Sequence, residues 1–317
     1  MNLAPAIALL IAGIALSVSL PTLLLRLGHS PRAALACWQL ATATVLGSWV
    51  LAGLSIGDLI FQPLHRLGHR FSICIAALQG LTHDTRHDSP TTIFGGAASA
   101  ALVVWIGVWI TARLLRDRRV RARHAADLRM VARRDPDAGI YIVDSALPAV
   151  YCCPGPEHIV VASTSALAEL SRAELAAVLA HERAHLAHRD HLRISVARAL
   201  ARAFPFVPLF AVASDEIARL CELRADDVAA RAHGRRTVAS ALLQLLAART
   251  PAPGIGAGGT GGAARVRRLL ETPSSVASTL RGAALLGVAV ATAALPLVAV
   301  GLALTALPYS VALCDLH

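Results

Sequence analysis

Four runs of this chain carry no charged side chain: residues 1–25, 33–56, 89–112 and 282–313. Each exceeds the roughly 20 apolar residues that a helix needs to cross about 30 Å of hydrocarbon. Hydrophobic residues make up 56% of the chain, above the roughly 45–50% usual for a soluble domain. The excess sits in these four runs, while residues 113–281 are polar enough to form a water-soluble unit. The expectation is a mainly α protein with four transmembrane helices and an α+β domain inserted between the third and fourth. Segment 1–112 would hold three helices, at about 3–25, 33–56 and 91–112, with an outer loop at 58–88. Segment 282–317 would hold the fourth helix and a short outer tail. The first run is read as a membrane helix and not as a cleaved signal: its first basic residue, Arg26, follows the apolar run instead of preceding it.

The formal net charge is +10, and every basic residue apart from histidine is arginine. A basic chain invites a nucleic-acid reading. Here Arg113, Arg116, Arg118, Arg119, Arg121, Arg123, Arg129, Arg133 and Arg134 crowd directly after the third apolar run. That is the positive-inside pattern, which holds the flank of a helix in the cytoplasm. Arg26 and Arg32 in the first loop agree with it; Arg66, Arg70 and Arg86 in the second are fewer and more dispersed. The N-terminus is then expected outside, residues 113–281 in the cytoplasm, and the protein in the plasma membrane. Aromatic residues are 4% of the chain, too few to interleave with arginine as a nucleic-acid surface requires, so no direct nucleic-acid partner is expected.

Within 113–281 the chain reads first as a basic helical extension of the third membrane helix, ended by Asp135-Pro136-Asp137. Strands are expected at 140–144 and at 158–163, separated by a turn at Cys153-Pro154-Gly155-Pro156. Ser171 and Glu174 have the spacing of a capping box, which starts a helix running to about Leu186. A second helical run covers about 191–204. Ser214-Asp215 can cap a third, which stops at Gly234. Segment 204–210 (Phe-Pro-Phe-Val-Pro-Leu-Phe) is apolar but too short to cross a bilayer, so it is either buried or dips into the membrane interface. The glycine-rich 251–264 stretch lacks the lysine and the strand-then-helix context of a phosphate-binding loop and is read as a tether.

His181-Glu182-Arg183-Ala184-His185 carries the chemistry. Residues four apart share a helix face, so both imidazoles can point at one metal ion. Glu182, one position on from the first histidine, is placed to take a proton from a metal-activated water and not to bind the metal. A catalytic zinc site usually has three protein ligands and an open position, and two His with one Glu is one such set. Glu222 and Asp226, four apart on one expected helix, supply the candidates: Glu222 as third ligand, Asp226 orienting a ligand histidine through its other ring nitrogen. His191 is a rival third ligand. The pattern that would use it has glycine where this chain has His188, which favours Glu222. The strand at 158–163 could offer an edge to an extended peptide.

At these residues the chain resembles the BlaR/MecR-type integral-membrane zinc peptidases and their relatives, the HtpX and CaaX-prenyl-protease group. The resemblance implies a gluzincin-like peptidase domain and one Zn²⁺ per chain held by His181, His185 and Glu222. It implies Glu182 as catalytic base and Asp226 beside the ligands. It further implies a protein substrate, a cytoplasmic repressor or a membrane protein, cut in regulatory or signalling proteolysis. The β-lactam receptors of that group carry a penicillin-binding sensor domain outside, after the last helix; here only a few residues follow the last apolar run, ending in Cys314-Asp315-Leu316-His317. Peptidase chemistry is what the resemblance leads one to expect, and direct antibiotic sensing is not expected from it.

Other residues are read more plainly. His65, His69, His83, Asp84, His87 and Asp88 make the 58–88 loop either a small metal sensor or a hydrated polar loop, and no defined ligand spacing favours the first. Cys74 and Cys314 both fall on the expected outer side, where they could pair. His233 is a candidate donor to a developing oxyanion. Two other classes stand beside the enzyme: a catalytically silent membrane scaffold that keeps the peptidase fold, and a basic nucleic-acid-binding regulator.

Overall fold

The computed structural model describes residues 4–27, 30–61, 90–155, 158–249, 259–271, 284–285 and 287–298. Two helices open the chain, α1 (Ala4–Leu27) and α2 (Pro31–Phe61). Within them Ala6–Arg26 and Pro31–Gly53 are long and apolar enough to cross a membrane. Leu16, Leu20 and Leu24 of α1 pack against Trp38, Ala41 and Val45 of α2, while Ile11, Ile14 and Val18 face outward. At Gly13 a side chain would collide with the Trp49 indole, whose Nε1 lies 2.5 Å from where a Cβ would stand. Glycine is what lets α1 and α2 close on each other there.

The expected third span and the basic extension behind it form one unbroken helix, α3 (Pro90–Val131). Its far end, through the buried Ala125 and Leu128, packs on Cys153, Ile159 and Val161 of the sheet. The expected breaker, Asp135, belongs to a strand instead, its carboxylate accepting from the amides of Asp137 and Ala138 in the following turn. A further apolar helix, α10 (Gly287–Val298), lies inside the fourth run. The outer-loop histidines and aspartates, and Cys74 and Cys314, lie outside the described residues.

Among the described residues the sheet has four strands, β1 (Arg133–Asp135), β2 (Ile140–Val143), β3 (Val150–Cys153) and β4 (Ile159–Ser163), in the order β1-β2-β4-β3. β2 and β4 are the two that the β-branched runs predict; β1 and β3 are additional. β4 runs parallel to β2, with Tyr141 opposite Val161, and antiparallel to β3, with Cys152 opposite Val160. All five β4 residues are buried, as befits a strand covered on both faces. The free edge beside the site therefore belongs to β3 and not to the 158–163 segment.

Helices α4 (Thr164–Glu169), α5 (Arg172–Ala187), α6 (Asp190–Ala203), α7 (Pro208–His233), α8 (Arg235–Arg249) and α9 (Gly259–Leu270) complete the described chain. α7 begins six residues before the expected cap: Pro208 stands in its first turn, where a missing N–H costs nothing, and Ser214 is buried inside the helix. Its end at Gly234, φ +86°, is where the sequence places it. Segment 204–210 forms the turn after α6 and the start of α7, with Phe204, Val207, Leu209 and Phe210 buried in one cluster with α1 and α2. The last part of the glycine-rich stretch is helical, and Gly262 gives α9 its close approach to Leu246 of α8, whose Cδ1 lies 2.6 Å from a notional Cβ.

Candidate metal centre

The capping box that starts α5 is present in full: the Glu174 amide donates to Ser171 Oγ, and the Ser171 amide and hydroxyl donate to Glu174 Oε2. Ser240 Oγ and Gln244 Nε2 of α8 add bonds to Glu174 Oε1 at 2.6 and 3.0 Å. These donors, Ser240 foremost, hold the Glu174 carboxyl below its ordinary pKa. The helix start is thereby fixed to its neighbour. Val178, Leu179 and Leu186 bury against the sheet side of the core. With that face committed, His181 and His185 are left on the side turned to α7.

There the two Nε2 atoms face each other at 3.0 Å. Glu222 of α7 meets both, Oε2 lying 3.6 Å from His181 Nε2 and Oε1 3.4 Å from His185 Nε2. Each Nδ1 is engaged from behind, that of His181 by Asp226 Oδ1 at 3.1 Å and that of His185 by Asp190 Oδ2 at 2.9 Å. Both carboxylates are in turn held by arginine. Arg265 of α9 grips Asp226 with Nε and Nη2 at 2.8 and 2.7 Å and reaches Glu222 with Nη1 at 2.8 Å. Arg224 Nη2 donates to Asp190 Oδ1. Two relays result, His181–Asp226–Arg265 and His185–Asp190–Arg224.

Asp190 reaches His185 because Arg189, between α5 and α6, adopts the left-handed conformation at φ +52°. Such a conformation costs a residue with a Cβ about 1 kcal/mol or more. It folds α6 back so that its first residue points at the helix it has just left. Glycine at 188 is not what the turn needs; the position that turns is 189. The rivals His188 and His191 are not part of the cluster that can hold a metal; among the described residues that cluster is His181, His185 and Glu222.

Burial and charge act against each other throughout the site. Burial by itself would lower the His181 pKa, but the hydrogen bonds that its ring donates to Asp226 and Glu222 outweigh it and raise it to about 9. Burial would raise Asp226, yet Arg265 and His181 hold it at about 2; Glu222 and Asp190 are lowered against burial in the same way. Four carboxylates, Glu182, Glu222, Asp226 and Asp190, gather around three guanidiniums, Arg265, Arg224 and Arg193. With each Nδ1–H donated to a carboxylate, two imidazole lone pairs and a carboxylate converge. Their separations of 3.0–3.6 Å suit ligands each about 2.0–2.2 Å from one tetrahedral ion. The residues fit zinc.

Glu182 points to the sheet side of the same space. Its Oε2 accepts from the Cys152 amide on β3 at 2.9 Å, and burial together with this carboxylate pushes the Cys152 thiol up. Beside the pair lies a cavity of about 180 Å³, walled by Val150, Val178, Val238, Leu242, Leu245 and Leu246. Arg265 is the cationic side chain lining it; His233, the last residue of α7, does not. Asp190, Arg224, Arg265 and the Cys152 amide are missed by sequence reasoning. Asp190 stands at no recognised spacing from the motif, and Arg265 is the first residue after what reads as a tether.

The family model for the BlaR1 peptidase M56 matches residues 81–265 and ends on Arg265. Among curated proteins, the protease HtpX homolog of Acidiphilium cryptum (strain JF-5) is 32% identical over 151 residues, covering 37% of this chain and 53% of that protein. That of Desulfatibacillum aliphaticivorans is 35% identical over 111 residues, covering 32% and 36%. That of Ralstonia pickettii (strain 12J) is 38% identical over 79, covering 24% and 28%. The chain thus spans about half the length, or less, of these relatives. No solved structure matches. The family match covers more than half the chain and contains the whole His181–His185–Glu222 cluster, so the chain belongs to the BlaR1 peptidase M56 family of membrane metallopeptidases.

Proposed function

We propose that the chain is a zinc metalloendopeptidase of the HExxH and ExxxD type, binding one zinc, that hydrolyses an internal peptide bond of a protein substrate on the cytoplasmic side of the plasma membrane. The observation that carries this reading is the convergence of His181 Nε2, His185 Nε2 and Glu222 beside the unligated base Glu182. When bound, zinc supplies polarisation of the scissile carbonyl and acidifies the attacking water. Glu182 accepts that water's proton and passes it to the leaving amine. Asp226 and Asp190 fix the tautomers and ring orientations of the two histidines. The free edge of β3 is where an extended substrate segment pairs, and the adjacent cavity takes one apolar side chain of it.

The surrounding topology is part of the proposal: three membrane helices in 1–112, a peptidase domain in 113–281, and a fourth helix in 282–317, with the N-terminus outside. The arginines that follow the apolar half of α3 support that orientation. A cytoplasmic repressor or a membrane protein as substrate, and a regulatory role for its cleavage, extend the reading.

The test is Glu182→Gln in detergent-purified protein. Cleavage should fall by about 10²–10⁴-fold while zinc per chain stays near one. Glu222→Ala should lose the zinc. Wild-type-like cleavage by Glu182→Gln would sink the assignment. Zinc-replete wild type that cuts nothing would point to the silent scaffold.

A further inference from the structure

A substrate held along β3 alone has half of its backbone unmet. The Ser163 amide donates to the Ala149 carbonyl at 2.8 Å, and the register sets Val150 opposite Ala162 and Cys152 opposite Val160. In an antiparallel pair every second residue turns its N–H and C=O to the partner strand. Ala149, Tyr151 and Cys153 therefore face β4, while Val150 and Cys152 face the free edge. The Cys152 amide, which donates to Glu182 at 2.9 Å, agrees with that phase. An extended segment laid on this edge alternates in the same way. Every second carbonyl points away from β3, toward the side of the cleft that the strand does not supply. Burying a carbonyl there without a donor is costly.

Arg265 answers that need. Its neighbours around the cavity are apolar side chains, two carboxylates that only accept, and His181, whose Nδ1 is turned to Asp226. Among the described residues lining the cavity, Arg265 is the side chain with N–H groups to give. Of the five N–H groups of a guanidinium, Nε and one on Nη2 go to Asp226, and one on Nη1 goes to Glu222. A second N–H remains on each terminal nitrogen. The group is also held in place: Val266 and Leu269 bury α9 with Ala177 and Val238, and Arg235 Nε donates to the Leu269 carbonyl at 2.8 Å. Charge sets the kind of partner. The cation is already shared between Asp226 and Glu222, with Glu182 on the same cavity. A substrate carboxylate would bring a further negative charge to that group, whereas a main-chain carbonyl brings none. The site suits an internal stretch of chain and not a free C-terminus.

We propose that Arg265 is a substrate-binding residue, its spare N–H donating to the main-chain carbonyl next to the side chain seated in the cavity. The proposal rests on the peptidase reading given above, and the test separates the two. Full-length, zinc-loaded protein in detergent is titrated with two hydroxamates. Both chelate zinc and carry an isobutyl group for the cavity; one continues as a methylamide, and the other has an alkene in place of that amide. Wild type should bind the amide about tenfold or more tightly than the alkene. Arg265→Lys keeps the charge but not the fork, and with zinc still near one per chain it should lose most of that preference. An unchanged preference, an equal loss of both ligands, or a variant that no longer holds zinc overturns the proposal and leaves Arg265 as a support for Glu222 and Asp226. Wild type that holds no zinc overturns the peptidase reading and the proposal with it. If Arg265→Lys does not fold, a hydroxamate with an arginine-selective phenylglyoxal in place of the amide gives the decision in the native chain. A covalent adduct mapped to Arg265 supports the proposal, and an adduct on another arginine or none overturns it.

Discussion

His181 and His185 are held by different carboxylates, Asp226 backed by Arg265 and Asp190 by Arg224 and Arg193. Asparagine at 190 or 226 would keep an oxygen for the Nδ1–H but lose the charge that makes the imidazole a stronger donor to a cation. Asp190→Asn and Asp226→Asn should each weaken zinc binding by about 10–100-fold, read by competition with a chelator of known affinity. Binding as tight as wild type in both variants would mean that the relays only hold the fold. Of this arrangement, the sequence discloses what recurs at helical spacing: His181 with His185, and Glu222 with Asp226. It hides what depends on where helices return. Asp190 arrives only through the left-handed turn at Arg189, and Arg265 only through the packing of α9.

The helix that carries the motif begins at a local device readable from four residues. Ser171→Ala removes a donor to the Glu174 carboxylate and the acceptor for the Glu174 amide. It should cost about 1 kcal/mol, read as a lowered thermal midpoint. Because the folded-state pKa of Glu174 lies below its unfolded value of about 4.3, the carboxylate's stabilisation is complete above that pH and is lost as pH falls through the folded value. The stability advantage of wild type over Glu174→Gln should therefore shrink on acidification from about pH 6 to about pH 3; a constant gap would contradict it. Elements set by capping and periodicity, such as α5 and the Gly234 end of α7, are legible in this way. The strands β1 and β3 are not: three and four residues long, they are strands only because β2 and β4 offer them an edge. Likewise Ser214 is an intrinsically good cap overruled by a longer helix that starts at Pro208 and buries Leu209 and Phe210.

At the scale of the molecule, the metal centre lies on a seam. α5 buries Val178 and Leu179 with the sheet, while α7 buries Leu209, Ile217 and Leu220 with α1 and α2. Ligands from both helices make a bound ion a bridge between two cores. A ligand that binds only the folded state adds about 2.7 kcal/mol at a hundred times its dissociation constant, so chelation should lower the thermal midpoint of the detergent-solubilised protein, and zinc should restore it. An unchanged midpoint would mean that the two cores cohere without the ion. That α1 and α2 are long and apolar enough to cross a membrane is legible in composition alone, because the length and apolarity that hydrocarbon demands are written along the chain before any packing. That α3 has no joint between its apolar and basic halves is not, since a helix can end anywhere between such halves. The unbroken α3 acts as a lever. Its 42 residues make a rod of about 63 Å, so a tilt of about 5° about its N-terminal end sweeps the C-terminal end through about 5 Å. That C-terminal end carries Ala125 and Leu128 against the sheet, and its Arg121 carbonyl meets the Cys153 thiol of β3. If α3 crosses the membrane as proposed, a bilayer that thins or thickens would ask it to tilt, and the tilt would arrive, undivided, at the strand whose amide holds Glu182.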